Sequence, residues 1–328
     1  MISEEFNLII IFVHSARKPL FLLLTLFSFL LTTPSHGETN LNIPAEYGEV
    51  IYQCNEKSPN QLFIIGMSHR DSLTRANGKN TSRVQAEVYQ IGDWLIHNQQ
   101  LELLLPEGFF KDRKATTEKK NVRIAEGKSK CFGSSDIKLL EERLSDSTTY
   151  VNAEMLLKED HLLELQQVED KGLYDAVREG ILRLATCDSD NYSVVRSELD
   201  YLQERRTAAM LQKIPQIIND EVRQGHIRNR RALFTIGMYH LHYIIRYLNE
   251  NGITICASPL TSNKSGDYVS ELDLLKENFG ICVIIPRTLA DDPKVLEMNR
   301  LDQIVGAYRK SPYHPSLVPL SLPQAPKD

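Results

Sequence analysis

Two stretches of this chain repeat each other. Leu62-Phe63-Ile64-Ile65-Gly66-Met67-Ser68-His69 and Leu233-Phe234-Thr235-Ile236-Gly237-Met238-Tyr239-His240 agree at six of eight positions. Each opens on a short apolar run, the pattern of a strand buried on both faces, and closes on Gly-x-x-His. With strands toward both ends of the chain and helical patterns between them, the expectation is an α/β fold with a mostly parallel sheet. The glycine is expected to allow a sharp turn off the strand, leaving the histidine at the strand's carboxyl end. In open α/β sheets that edge is where ligands bind.

The rest of the chain fits around this repeat. Leu101–Leu105 (LELLL) reads as another strand, stopped by Pro106-Glu107-Gly108. Between it and the first repeat, Val84, Val88, Ile91, Leu95 and Ile96 recur at helical spacing from Arg83 to His97. Strand, helix, strand predicts a βαβ unit whose two strands are parallel and adjacent. Lys111–Lys130 is basic and poor in hydrophobic residues, as in a solvated loop. Helical patterns then dominate, giving an insertion over about 135–225 between the two GxxH-bearing halves. Strands are expected at Ala232–Ile236, Ile253–Ala257 and Ile281–Ile285, with a helix over Leu241–Asn249. The Pro-rich tail, 311–328, reads as unstructured. One α/β domain over 38–310 results.

Residues 19–33 are apolar and uncharged, follow Arg17-Lys18 and precede small residues at Ser35 and Gly37. This is the layout of a secretory signal peptide cut after Gly37, so 1–37 are expected to be an export signal. The unbroken run Leu20–Leu31 is shorter than the roughly 20 residues that span a bilayer. The alternative is a retained membrane anchor, the one membrane contact the sequence suggests. The first cysteine is Cys54, so no lipid-anchoring thiol lies near the cut. Five cysteines are too few for a disulfide scaffold; Cys256 and Cys282 sit in strand-like apolar runs and read as core unless those two strands are neighbours. With 38 Lys and Arg against 43 Asp and Glu, the net charge is −5, which gives no general attraction for nucleic acid.

His69, His240 and Glu107 each follow a predicted strand, so two imidazoles and a carboxylate can converge on one crevice. These motifs resemble the Tiki/TraB superfamily, which includes Tiki metalloproteases, TraB and pheromone-shutdown proteins, erythromycin esterases and ChaN-type haem-binding proteins. Gly66-Met67-Ser68-His69 and Gly237-Met238-Tyr239-His240 look like its two GxxH motifs, and Glu107 in LLLPEG looks like its glutamate. Arg206 in ERRTAAM resembles its helical arginine, with Arg205 competing for that slot. The likeness covers about residues 58–260. It implies a site built from His69, Glu107, Arg206 and His240, with Gly66 and Gly237 forming the cofactor-binding turns.

A two-His, one-carboxylate set suits a divalent metal with open positions, and His69, Glu107 and His240 are the expected ligands. Such a metal would generate hydroxide near neutral pH. Without metal, His69 or His240 acts as general base and Glu107 orients water. Arg206 is expected to stabilise an oxyanion or hold a substrate carboxylate. Both versions make the chain an exported hydrolase of peptide or ester substrates. The alternative is a haem- or metal-binding protein without turnover, with His69, His240 or Tyr239 as ligand. Other conspicuous residues read as structural. His242, two positions beyond His240 on a helix, should point away from the site. His97 ends a helix where the dipole favours a cation. Trp94 reads as core, and Glu154 and the EE and ED pairs as solvated helix faces.

Overall fold

The computed structural model describes residues 41, 43–68, 80–111, 137–145, 152–255 and 268–310. The expected export signal, His69, Cys256, the tail and most of the Lys111–Lys130 segment lie outside the described residues. Along the chain run β1 (Gly48–Cys54), β2 (Gln61–Met67), α1 (Thr81–Gln99), β3 (Leu103–Pro106), α2 (Ile137–Ser145), α3 (Ala153–His161) and β4 (Glu164–Leu165). There follow α4 (Lys171–Thr186), α5 (Ser189–Gln224), β5 (Arg231–Gly237), a 3-10 turn (Met238–His240) and α6 (Leu241–Glu250). The hairpin β6 (Gly252–Ile255) and β7 (Tyr268–Glu271) precedes α7 (Asp273–Lys276) and β8 (Gly280–Pro286). Three short helices close the described chain: α8 (Arg287–Ala290), α9 (Pro293–Met298) and α10 (Asp302–Lys310).

Six strands form one mixed sheet in the order β1-β8-β2-β5-β3-β4. Only β1 against β8 is antiparallel; the other pairs are parallel. The expected α/β class and mostly parallel sheet are present. β2, β5 and β8 are buried along almost their whole length, as strands covered on both faces must be. The helical insertion is present too, but β4 interrupts it by adding to the β3 edge. β6 does not join the main sheet and pairs instead with β7.

One topological expectation is corrected. β2 and β3 are parallel but not adjacent, because β5 enters between them. The apolar run Ala232–Ile236 is buried throughout and needs a partner on each edge, which the βαβ unit alone would not supply. The repeat thus pairs with itself, offset by one residue: Gly66 lies opposite Ile236 and Met67 opposite Gly237. In parallel strands, paired residues point to the same face, so this offset sends equivalent residues of the two copies to opposite faces.

The connections agree with that alternation. From β2 the chain crosses through α1 to β3 on one side, and from β5 it returns through α6 to β8 on the other. Right-handed crossovers in opposite directions place their helices on opposite faces. Accordingly α1 packs with α2, α3 and α8, while α5 packs with α4, α6 and α7. The gap between the carboxyl ends of β2 and β5 is therefore the topological switch point of the sheet. Three helices of the insertion start on side-chain caps: Asn152 accepts from Met155 N–H, Asp170 from Leu173 N–H and Asp188 from Asn191 N–H. Among the described residues no helix is long and apolar enough to cross a membrane.

Candidate functional site

The switch point brings Glu107, Arg206 and His240 together. Glu107 leaves β3 in a tight turn. Its own N–H donates to the Thr235 carbonyl at 2.9 Å, which extends the β3–β5 pairing by one rung. Gly108 follows with φ +73°, the left-handed region where a side chain is strained, and this swings its N–H onto Glu169 Oε1 at 2.9 Å. His240 ends the 3-10 turn after β5 and is 3% exposed. Arg206 and Thr207 project from the middle of α5, both buried.

These groups interlock. Glu107 is held at both oxygens: Gly237 N–H donates to Oε2 at 2.5 Å, and Arg206 Nη2 lies 2.7 Å from Oε1. Arg206 also grips Glu169 through two contacts, Nε to Oε2 at 3.1 Å and Nη2 to Oε1, and its guanidinium lies over the Tyr174 ring at 5.2 Å. Burial would lower the pKa of Arg206, but the carboxylates of Glu107 and Glu169 outweigh it and push the pKa up. The guanidinium thus stays charged and is already bound to two carboxylates. It positions Glu107 and does not reach out as a free oxyanion donor.

The histidine's tautomer follows from its partner. Thr207 has one hydroxyl proton and donates it to the Gln203 carbonyl at 2.8 Å. Its oxygen therefore accepts from His240 Nδ1–H at 2.6 Å. The other ring nitrogen, Nε2, faces Glu107 Oε1 at 3.5 Å.

The structure assigns the other sequence candidates as follows. Arg206, not Arg205, is the arginine of the site; Arg205 is exposed and lies over Tyr201 at 5.6 Å. Gly66 and Gly237 do not act through a left-handed turn. Gly237 has φ −59° and ψ 142°, and neither is among the positive-φ residues. Gly66 remains in the strand, where a Cβ would lie 2.3 Å from Leu241 Cδ1; it is needed for close packing under α6. Glu154 is no solvated carboxylate: it is 5% exposed and accepts from Thr235 Oγ1 at 3.0 Å. Glu169 in the ED pair is likewise buried, at 3%.

His242 stays out of the crevice as expected. Its ring packs on Tyr243 at 3.8 Å between centroids. Burial, then Arg300 and Arg246, push its pKa down to about 3, so it is neutral. Trp94 packs against the core. Glu169 and Thr207 carry no local signal of a place at the site, since each is brought there by the packing of the insertion on β3 and β5.

A second cluster stands apart from this one. Asp93 and His97 on α1 and His161 at the end of α3 offer donor atoms within 4.8 Å of one another, so these three side chains could hold a metal ion. Comparison of the chain with protein-family models, with curated proteins and with solved structures gives no match.

Proposed function

We propose that the chain is a hydrolase acting on peptide or ester bonds at the crevice between β2, β3 and β5. The observation that carries this reading is the fixed pair of Glu107 and His240, with Nε2 3.5 Å from Oε1. In this reading His240 Nε2 takes a proton from water as general base, while its Nδ1–H stays on Thr207. The imidazolium so formed is stabilised by Glu107, whose position and charge are held by Arg206 and Gly237 N–H. The apolar segment 19–33 supports an exported enzyme.

The haem-binding alternative has less support. Tyr239, one of its ligands, donates its hydroxyl to Asp200 at 2.7 Å. A screen of chromogenic esters and peptides on the purified protein tests the hydrolase reading, with haem titration beside it. His240→Ala and Glu107→Gln are expected to lower kcat by roughly 10²–10⁴-fold, with no Soret shift in the parent. Parent-level turnover in both variants would refute the assignment.

A further inference from the structure

We infer that Asp93, His97 and His161 form a divalent transition-metal site at the edge of the sheet opposite the crevice. Asp93 and His97 are four residues apart on α1 and so share one helix face. His161 is the last residue of α3. One donor atom from each lies within 4.8 Å of the others. An imidazole–carboxylate set of this kind suits zinc and its neighbours better than calcium or magnesium.

Three further observations favour a cation here over a simple His–Asp pair. First, His161 Nε2 lies 2.9 Å from Asp93 Oδ1, yet it makes no hydrogen bond and is shielded from solvent. The contact is short, yet it leaves the hydrogen-bonding capacity of a buried nitrogen unused. Second, both imidazoles present a nitrogen to the same carboxylate oxygen: His97 Nδ1 lies 3.4 Å from Asp93 Oδ1, beside its 2.8 Å approach to the Asp93 main-chain carbonyl. Third, both helices end at the site, α1 on Gln100 (φ 54°) and α3 on Leu162 (φ 54°). Each brings the negative end of its dipole, which favours a positive charge.

The set leaves coordination positions open. His161 also lines a cleft of about 630 Å³ at the amino ends of β3 and β5, together with Glu102, His226 and Arg228. Three protein ligands beside a cleft leave room for water or an anionic group in the fourth position. His97, with its side chain 64% exposed, can move to close the spacing. In this arrangement the ion joins the ends of α1 and α3 without involving Glu107 or His240.

The test uses the full chain, stripped with chelator and titrated with Co(II) and then Zn(II). The expected results are one equivalent bound with ligand-field bands in the visible, and a rise in Tm with Zn(II). His97→Ala removes an exposed side chain and Asp93→Asn is nearly isosteric, so both should fold. Each is expected to weaken binding at least about tenfold, while His240→Ala keeps it. Absence of uptake by the parent, or parent-like uptake in both His97→Ala and Asp93→Asn, would overturn the proposal. So would loss of uptake in His240→Ala alone, which would place the metal in the crevice. Hydrolysis by the parent is read separately, so failure of this site leaves the hydrolase reading untouched.

Discussion

Replacing Arg206 by Met probes the network under the crevice. The substitution keeps most of the apolar stem and removes the charge. Arg206 is 4% exposed, and its partners Glu169 and Glu107 have side chains 0% and 11% exposed. Without it two carboxylates face each other in a site nearly closed to water. Deleting one partner of a buried ion pair costs about 3–5 kcal/mol, a large part of a domain's typical total of roughly 5–15 kcal/mol. The neighbouring Arg205 is exposed, so Arg205→Met should stay within about 0.5 kcal/mol of the parent. Urea unfolding followed by far-UV circular dichroism at neutral pH measures both. The Arg206 loss should shrink on acidification, because a proton on one carboxylate removes the uncompensated charge. Adding Glu169→Met to Arg206→Met should restore part of the stability. A loss below about 1 kcal/mol, or one equal to that of Arg205→Met, would refute the view that this arginine holds two buried carboxylates.

Gly66→Ala places a Cβ 2.3 Å from Leu241 Cδ1 and 2.9 Å from Met238 Sδ, and overpacking of this kind costs about 1–3 kcal/mol. A double variant with Leu241→Ala should recover much of that loss in the same unfolding assay. His242 is held neutral with its pKa near 3, below the value of about 6.5 in the unfolded chain, so the unfolded state takes up the proton first. Its contribution is present above about pH 6.5 and lost as pH falls toward 3. His242→Leu should flatten that acid limb by about 2–3 kcal/mol between pH 7 and pH 4.5, as read from pH-dependent unfolding. Thr207→Val removes the acceptor that fixes His240 Nδ1–H. It should lower kcat by about tenfold or more with KM little changed; an unchanged kcat would show that the tautomer is not set there.

The sheet was readable because its strands announce themselves. LFIIGM and LFTIGM are short, mostly apolar runs stopped by glycine, which by length and punctuation read as buried strands. Their neighbours were less readable. Nothing local says that β5 separates β2 from β3, since strand order depends on which edges are left apolar after each crossover. β1 went unforeseen because GEVIYQC mixes polar and apolar residues, as an edge strand can. At the site, Glu107 and His240 were legible by their position after strands. Glu169 and Glu154 were not, since a carboxylate in a polar helical stretch looks solvated until its partner is known. Arg206 and Thr235, the partners concerned, lie far away in the chain. His161 was hidden for the same reason, whereas Asp93-x-x-x-His97 carried a readable i, i+4 spacing.

The place of β5 also sets the order in which the molecule can be made. β2 and β3 emerge early from the ribosome, yet each bonds to a strand that comes much later, β5 from residue 231 and β8 from residue 280. At synthesis rates of about 5–20 residues per second, the early strands wait on the order of ten seconds without their neighbours. During that interval LFII and LLL are exposed apolar edges, able to pair wrongly with each other or with another chain. The sheet closes only when its central strand arrives from the far side of the helical insertion. A chain cut short before residue 231 should therefore yield insoluble material and not a smaller folded domain.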